Sequence, residues 1–309
     1  MKKINTLIKI LKSDKKTFMD TLFYLLRKWN LLNVFSDKLF IRFGYYCRFG
    51  ECLDLSNPKS FNQKLNWLKL YGRKIEYSAL VDKFEVKKYV GNIIGSQYII
   101  PTLAIWNKIE DINWNELPDE FIIKCTHDSH SYSICKNKLD FNFEATKLML
   151  SQKMKSNLYW WAREWPYKNV KPRIIVEKLL TDSSAEDLKD YKFFCFNGKV
   201  KCFKIDFDRF SQHRANYYDI NCNLMDIGEE ICPPDYEREI TIPGNIGEMI
   251  YLSEKLAAGI PFVRIDFYNV NNKIYFGEMT FFPAEGWGRF IDKKNDYTLG
   301  SWINLENIK

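Results

Sequence analysis

The chain has 309 residues, room for two or three packed units, and 23 Phe, 18 Tyr and 9 Trp within a 46% hydrophobic composition exclude a disordered chain. Net charge is +7, but residues 1–30 carry Lys2, Lys3, Lys9, Lys12, Lys15, Lys16, Arg27 and Lys28 against Asp14 and Asp20, so almost all the excess lies at the start. The near-neutral remainder excludes a broad nucleic-acid-binding face.

Residues 1–50 read as helices, with Phe18, Leu22, Leu25 and Leu26 on one stripe. A lysine-rich helix of this kind either docks on the protein's own core or lies on an anionic membrane surface. Ser60 with Gln63 forms a capping box after Asn57-Pro58-Lys59, and Phe61, Leu65 and Leu68 then share a helical face that ends by Gly72. Residues 78–91 predict another helix, followed by a β-like Tyr98-Ile99-Ile100 before Pro101. From Pro118 strands prevail. Phe121 to Cys125 is a short strand, Thr126 to Ser131 a polar loop, and Tyr132 to Cys135 a returning strand, one way to fold backbone N–H groups over phosphates. A helix over 143–163 and a strand from Arg173 to Leu180 follow. Tyr191 to Phe196 pairs through Asn197-Gly198 with Val200 to Ile205, and Met249, Leu252 and Leu256 mark one more helix. Interspersed elements dominated by hairpins predict an α+β fold with antiparallel sheets.

The eight cysteines include no Cys-x-x-Cys, which argues against a zinc ribbon and for buried reduced thiols. No apolar run approaches the length of a membrane span, and no signal-peptide h-region is evident, so the expected location is the cytoplasm. Contact of residues 1–30 with the inner face of an anionic membrane is the second expectation.

Lys124 ends an apolar run, where an ammonium needs a phosphate or a carboxylate across the sheet. Lys192 sits inside Tyr191-Lys192-Phe193-Phe194, either as a ligand-facing cation or a snorkelling edge residue. Glu177 closes a β-branched run. Of the three histidines, His127 and His130 are too few and too flexible for a zinc site without Cys or carboxylate help, and read as loop residues. Asp206 and Asp208 form a D-x-D of the sort that holds a metal in some nucleotide-sugar transferases. The most informative stretch comes last. Val263 to Tyr268 and Ile274 to Thr280 flank an Asn271-Asn272 turn and read as a hairpin. Arg264 and Asp266 share one face of its first strand, and Glu278 and Thr280 one face of its second. If those faces coincide, two carboxylates, a guanidinium and a hydroxyl converge, a set suited to Mg²⁺ carrying phosphates.

Together these pieces resemble an ATP-grasp enzyme, and more narrowly the teichuronopeptide-biosynthesis-like (TupA-like) ATP-grasp family of surface-polysaccharide enzymes. The resemblance runs from about Asn57 to Leu305. It rests on Asn57 to Leu68, on Lys124 with His127-Asp128-Ser129, and on Arg163-Glu164-Trp165-Pro166-Tyr167. It continues through Asp190 to Gly198, Asp208-Arg209, Arg264-Ile265-Asp266 and Phe276 to Phe281. Two positions depart from the family pattern: His130 stands where Gly is frequent, and Thr280 where the general fold has Asn.

The resemblance implies two α+β subdomains closing on ATP behind a helical N-terminal extension. The expected divisions are a basic helical segment 1–56, an α/β part 57–118, a small subdomain 119–180 and a large, metal-bearing subdomain 181–309. It implies that Asp266, Glu278 and Thr280 hold Mg²⁺. Lys124, Lys192 and Arg264 would hold phosphates, with His127, Ser129 and Ser131 in the phosphate loop. Glu177, Leu179 and Leu180 would form the adenine hinge, and Arg209 would take the acceptor carboxylate. The implied reaction is ATP-dependent amide formation between a uronic-acid-containing saccharide and an amine. A glycosyltransferase using Asp206 and Asp208 is the alternative, and a non-catalytic polysaccharide-binding protein a third.

Overall fold

The computed structural model describes residues 14–129, 131–182, 188–208, 212–306 and 308. His130, Arg209 and the lysines of the first thirteen residues lie outside the described residues.

The chain opens with helices α1 (Lys15–Lys28) and α2 (Asp37–Phe49), which pack on each other. Ser36 caps α2, and Gly50 ends it in a left-handed conformation at φ +73°, which L side chains resist. The inward face of α1 is not the predicted stripe but Met19, Phe23 and Leu26, a set that shares only Leu26 with it, and Phe23 meets Phe40 of α2 at 5.5 Å between ring centroids. The capping box forms as expected. Ser60 and Gln63 satisfy each other's backbone N–H groups, and α3 (Phe61–Tyr71) follows.

The single helix expected over 78–91 is two, α4 (Tyr77–Val81) and α5 (Glu85–Ile93). Asp82 breaks it. Its carboxylate accepts from the N–H groups of Phe84 at 2.8 Å and Glu85 at 2.9 Å, from Thr126 at 3.1 Å and from Arg173 at 3.0 Å. Four donors outweigh one more turn of helix. The strand expected at Tyr98-Ile99-Ile100 is also displaced. Residues Ser96–Tyr98 form a 3-10 turn and Ile99 makes one bridge to Phe276, while the strand β1 (Thr102–Trp106) follows Pro101. Proline has no N–H for a ladder, but its carbonyl accepts from Lys178 and starts the pairing.

Strands β2 (Phe121–Cys125), β3 (Tyr132–Cys135) and β4 (Ile174–Lys178) join β1 in a four-stranded antiparallel sheet ordered β1-β4-β2-β3. The helix expected over 143–163 also divides, into α6 (Phe143–Lys153) and α7 (Leu158–Ala162), because Asn157 caps a fresh start. The second sheet contains β5 (Asp190–Phe196), β6 (Lys199–Phe207), β7 (Arg214–Asp219), β8 (Leu224–Met225), β9 (Phe262–Val270) and β10 (Lys273–Thr280), ordered β10-β9-β5-β6-β7-β8 and antiparallel throughout. Asn197 at φ +50° and Gly198 at φ +79° make the tight turn that the sequence predicted between β5 and β6. Helix α8 (Ile246–Leu256) lies on one face of this sheet, with Cys195 Sγ 3.8 Å from the Ser253 carbonyl. A last helix, α9 (Lys293–Ser301), packs on α3. Since alternate residues face opposite sides, Asp190, Lys192, Arg264 and Asp266 are left on the face away from α8.

Asp82 thus ties α5, β4 and the loop after β2 to one buried carboxylate. Asp82→Ala should cost about 3 kcal/mol of stability, because Arg173 loses its buried partner and two N–H groups lose their cap. Denaturant unfolding measures this, and a loss under about 0.5 kcal/mol would mean that the contacts are not formed in solution.

Candidate active site

The two-residue turn of the last hairpin places Asn271 at φ +50° and Asn272 at φ +63°, with Val270 opposite Lys273. Unbroken pairing from there would set Gly277 opposite Asp266 and Met279 opposite Arg264. Glu278 and Thr280 would then point to the other face, under α8. A β-bulge between Phe276 and Glu278 shifts the register by one, so that Glu278 pairs with Asp266 and Thr280 with Arg264. Gly277 is the residue that permits it. A Cβ there would stand 3.1 Å from the Asp266 carbonyl oxygen and 3.2 Å from the Tyr268 ring.

The four side chains therefore meet. Arg264 Nε and Nη2 donate to the two Asp266 oxygens at 2.7 Å each, and Nη2 reaches Glu278 and Thr280 at 3.1 Å each. The Thr280 hydroxyl donates to Glu278 at 2.9 Å. On the neighbouring strand Lys192 pairs in register with Asp266, its Nζ 2.7 Å from Asp190, 3.4 Å from Asp266 and 3.6 Å from Asp206. Lys204 adds contacts to Glu229 at 2.8 Å and Asp206 at 3.7 Å. His213 Nε2 lies 3.1 Å from Asp206, with Cys232 Sγ 3.4 Å from Nδ1.

Burial works to raise the pKa of the Glu278 carboxyl, but Arg264, Lys83 and Lys192 outweigh it and hold it at about 2. Burial pushes Asp266 above its ordinary value against the pull of Arg264 and Lys192. Lys192 is raised: burial opposes its charge, and Asp266, Asp190 and Asp206 overcome it. Among the described residues the cluster sets Asp190, Asp206, Glu229, Asp266 and Glu278 against Lys192, Lys204 and Arg264. Lys83, acting on Glu278 from across the cleft, adds a fourth cation to this set.

The first sheet supplies the opposite wall. Lys124 and Lys87 each reach Glu177 at 2.5 Å. Burial opposes ionisation of Glu177, and the two lysines bring its pKa below the ordinary value. Lys83 donates from Nζ to the Asp128 carbonyl. Lys83 lines the cleft, where burial lowers its pKa, Glu278 raises it and Lys124 lowers it. In the loop after β2, Asp128 and Ser129 face the cleft. His127 is buried, with Nε2 3.1 Å from the Lys153 carbonyl, and the Ser131 hydroxyl donates to Asp128 and closes the loop. Leu179 and Leu180, two and three positions past Glu177, line the cleft. Arg209 lies outside the described residues.

The cleft between the sheets holds about 2660 Å³, larger than a single small-ligand site requires. Lys83, Glu164, Tyr167, Asp190, Lys204 and Glu285 line it as well; the sequence reading named Glu164, Tyr167 and Asp190 only within motifs of the resemblance and gave none of the six a role. Asp190 had a signal: two places before Lys192, it shares that residue's strand face. Lys83 had none, since it projects from the break between two helices.

The donors suit Mg²⁺ with nucleotide phosphates. Among the described residues no cluster of three or more His, Cys, Asp or Glu could hold a metal by itself. Mg²⁺ characteristically takes one or two carboxylates and completes its shell with phosphate and water, and Asp266 with Glu278 offers that number of hard oxygen donors.

Acid tests this geometry. A depressed carboxyl pKa contributes stability that is complete above the ordinary value of 4.5 and is lost as pH falls toward about 2. The Glu278 carboxyl carbon followed by NMR should titrate near pH 2, and Gly277→Val, by crowding the bulge, should return it toward 4.5. A wild-type midpoint between about 4 and 5 would show that the Arg264 contact does not form.

No curated protein matches the chain. Among solved structures it is similar to D-alanine–D-alanine ligase from Bacillus anthracis, at 16% identity over 65% of this chain and 57% of that one, with a TM-score of 0.38. The corresponding ligase from Helicobacter pylori is similar at 14% identity over 80% and 70% of the two chains, with a TM-score of 0.43. The ATP-grasp ligase PsnB, in complex with a minimal precursor, is similar at 12% identity over 67% and 53%, with a TM-score of 0.38. The chain spans just over half the length of the first and third of these ligases. The model of the TupA-like ATP-grasp family matches residues 63–304, most of the chain, and the protein belongs to that family.

Proposed function

We propose that the protein is an ATP-dependent carboxylate–amine ligase. It would join a hexuronic acid of a capsular or other surface-polysaccharide precursor to an amino acid or small amine, through an acyl phosphate. The observation that carries the reading is the convergence of Arg264, Asp266, Glu278, Thr280 and Lys192 on one wall of a cleft whose other wall presents Lys124 and Lys83, in a chain of the ATP-grasp family.

When bound, Mg·ATP supplies the phosphoryl group that makes a carboxylate oxygen a leaving group, together with the divalent charge that neutralises the phosphates. Asp266 and Glu278 would hold the metal, with Thr280 beside them. Arg264 is already fixed by both carboxylates, so it can meet transferring charge without reorganising. Lys192 stays protonated among three carboxylates and would face the same charge. Glu177 would hold Lys124 at phosphate distance as well as bordering the adenine hinge at Leu179 and Leu180. Arg209 would take the acceptor carboxylate, since a planar guanidinium pairs with carboxylates in bidentate fashion. A buried ionic cluster of this size adds little stability over an apolar core of equal volume, which supports a binding role for it. In the D-x-D of the transferase alternative, Asp206 is enclosed by Lys192, Lys204 and His213, and Asp208 follows the end of β6 at φ +52°.

Purified protein screened for ADP release with uronic acids crossed against amines tests the reaction, and hydroxylamine should trap a hydroxamate when the amine is omitted. Glu278→Gln should lower turnover at least about a hundredfold with the fold intact by circular dichroism. A requirement for a nucleotide-sugar donor, with turnover in the absence of ATP, would sink the ligase reading.

Lys124→Ala should weaken Mg·ATP binding about tenfold or more, the worth of one hydrogen bond to a charged group. Calorimetry on the folded protein decides it: unchanged affinity with a collapsed melting temperature would make Lys124 a structural partner of Glu177.

A further inference from the structure

The connection between α1 and α2 exposes apolar side chains in a way that nothing else in the fold uses. Within residues 29–39, Val34 is 86% exposed, Trp29 60%, Leu39 57%, Leu31 53% and Phe35 48%. Five large apolar side chains exposed over residues 29–39 call for an occupant. The segment is built rather than loose. Leu32 is buried between these residues, and backbone bonds from Leu31 to Leu26, Asn33 to Asn30 and Phe35 to Leu32 fold it back on α1. From beneath, the fully buried Arg163 donates to the carbonyls of Leu32 at 3.3 Å and Asn33 at 3.5 Å, with its guanidinium 4.7 Å from the Phe40 ring. A buried arginine is a costly anchor for a segment whose large side chains point outward.

Charge names the occupant. Lys28, Lys38 and Arg42 are exposed around the apolar tip. The two acids between residues 15 and 42 are turned inward, Asp20 to Arg48 and Arg289, and Asp37 to Arg73 and Arg163. A two-fold contact with a second copy would set these cations against their own kind, whereas an anionic bilayer complements them. Tryptophan at the edge of an apolar tip flanked by basic residues is the side-chain arrangement of an interfacial membrane anchor. Among the described residues no helix is long and apolar enough to cross a membrane.

We infer that residues 29–39 seat this protein on the surface of an anionic lipid bilayer, Trp29, Leu31, Val34 and Phe35 entering the interfacial region and Lys28, Lys38 and Arg42 meeting the headgroups. The contact belongs to the turn after α1, since Met19, Phe23 and Leu26 of α1 itself are packed into the cluster with α2. Tyr24 and Arg27 of α1, with Asn30 and Asn33 of the segment, line the cleft, so docking sets the cleft mouth at the membrane, within reach of a lipid-borne substrate. This inference does not depend on the reaction proposed above.

Vesicles of phosphatidylcholine with phosphatidylglycerol, compared with phosphatidylcholine alone, provide the test. The full chain should sediment with the anionic vesicles, and brominated lipids should quench a fluorescence component that Trp29→Phe removes. The double variant Val34→Asp, Phe35→Asp should lower vesicle partitioning about tenfold or more, with melting temperature and Mg·ATP affinity unchanged. Wild-type protein that ignores anionic vesicles, or a double variant that sediments equally, overturns the inference. So does a wild-type dimer that the double variant converts to a monomer, because the patch would then belong to a second copy of the chain.

Discussion

Two carboxylates on adjacent strands repel each other unless a positive charge lies between them, and Arg264 supplies that charge. Its guanidinium takes both oxygens of Asp266 and reaches Glu278 and Thr280 from one nitrogen. The contact fixes the register of the last hairpin, because only the bulged pairing brings Glu278 within reach. It also sets the electrostatics of the cleft. With Arg264 committed to two acids, Lys192 is shared among Asp190, Asp206 and Asp266, and Lys204 between Asp206 and Glu229. Each buried charge is tolerated because the next one compensates it.

The end of that hairpin is held from outside the sheet. After Thr280 the chain enters a tight turn, Pro283–Gly286, in which Ala284 and Glu285 adopt left-handed conformations at φ +47° and +60°. Non-glycine residues pay for such angles, so something must enforce them. Helix α3 does so: Asn66 donates to the Gly286 carbonyl at 2.7 Å, Asn62 to that of Gly288 at 2.8 Å, and Lys69 to that of Glu285 at 2.5 Å. Arg48 of α2 adds the Trp287 carbonyl at 3.1 Å. The carboxylate of Glu285 is thereby presented to Arg27 at 2.6 Å and to the Trp161 indole N–H at 2.9 Å. The N-terminal helices are thus part of the frame that positions the last hairpin, although α1 and α2 precede the residues that the family model matches.

Local rules accounted for much of the architecture. The capping box at Ser60, the turn at Asn197-Gly198 and the strands around Lys124 and Lys192 rest on short-range hydrogen bonding and alternation, and the structure has them where those rules put them. The misplaced elements differ in cause: Asn157 splits the helix over 143–163 by local capping, whereas the next break is long-range. The helix over 78–91 gives way at Asp82 because its carboxylate finds Thr126 and Arg173, residues 44 and 91 positions away. Strands β7 and β8 were not anticipated, since their pattern acquires meaning only beside β6.

The sequence by itself determined the residue types of the candidate site, their pairing along each strand and the family to which they point. Side-chain alternation and turn chemistry are local, and a long ordered set of motifs is specific. Whether the two faces of the last hairpin coincide was beyond such rules, because regular pairing from the Asn271-Asn272 turn would have put Glu278 and Asp266 on opposite sides. Only the tertiary structure decided it. The bulge at Gly277 costs one ladder position and is held by the Arg264 contacts that it creates, an exchange that involves atoms from both strands at once and has no signature in either strand alone.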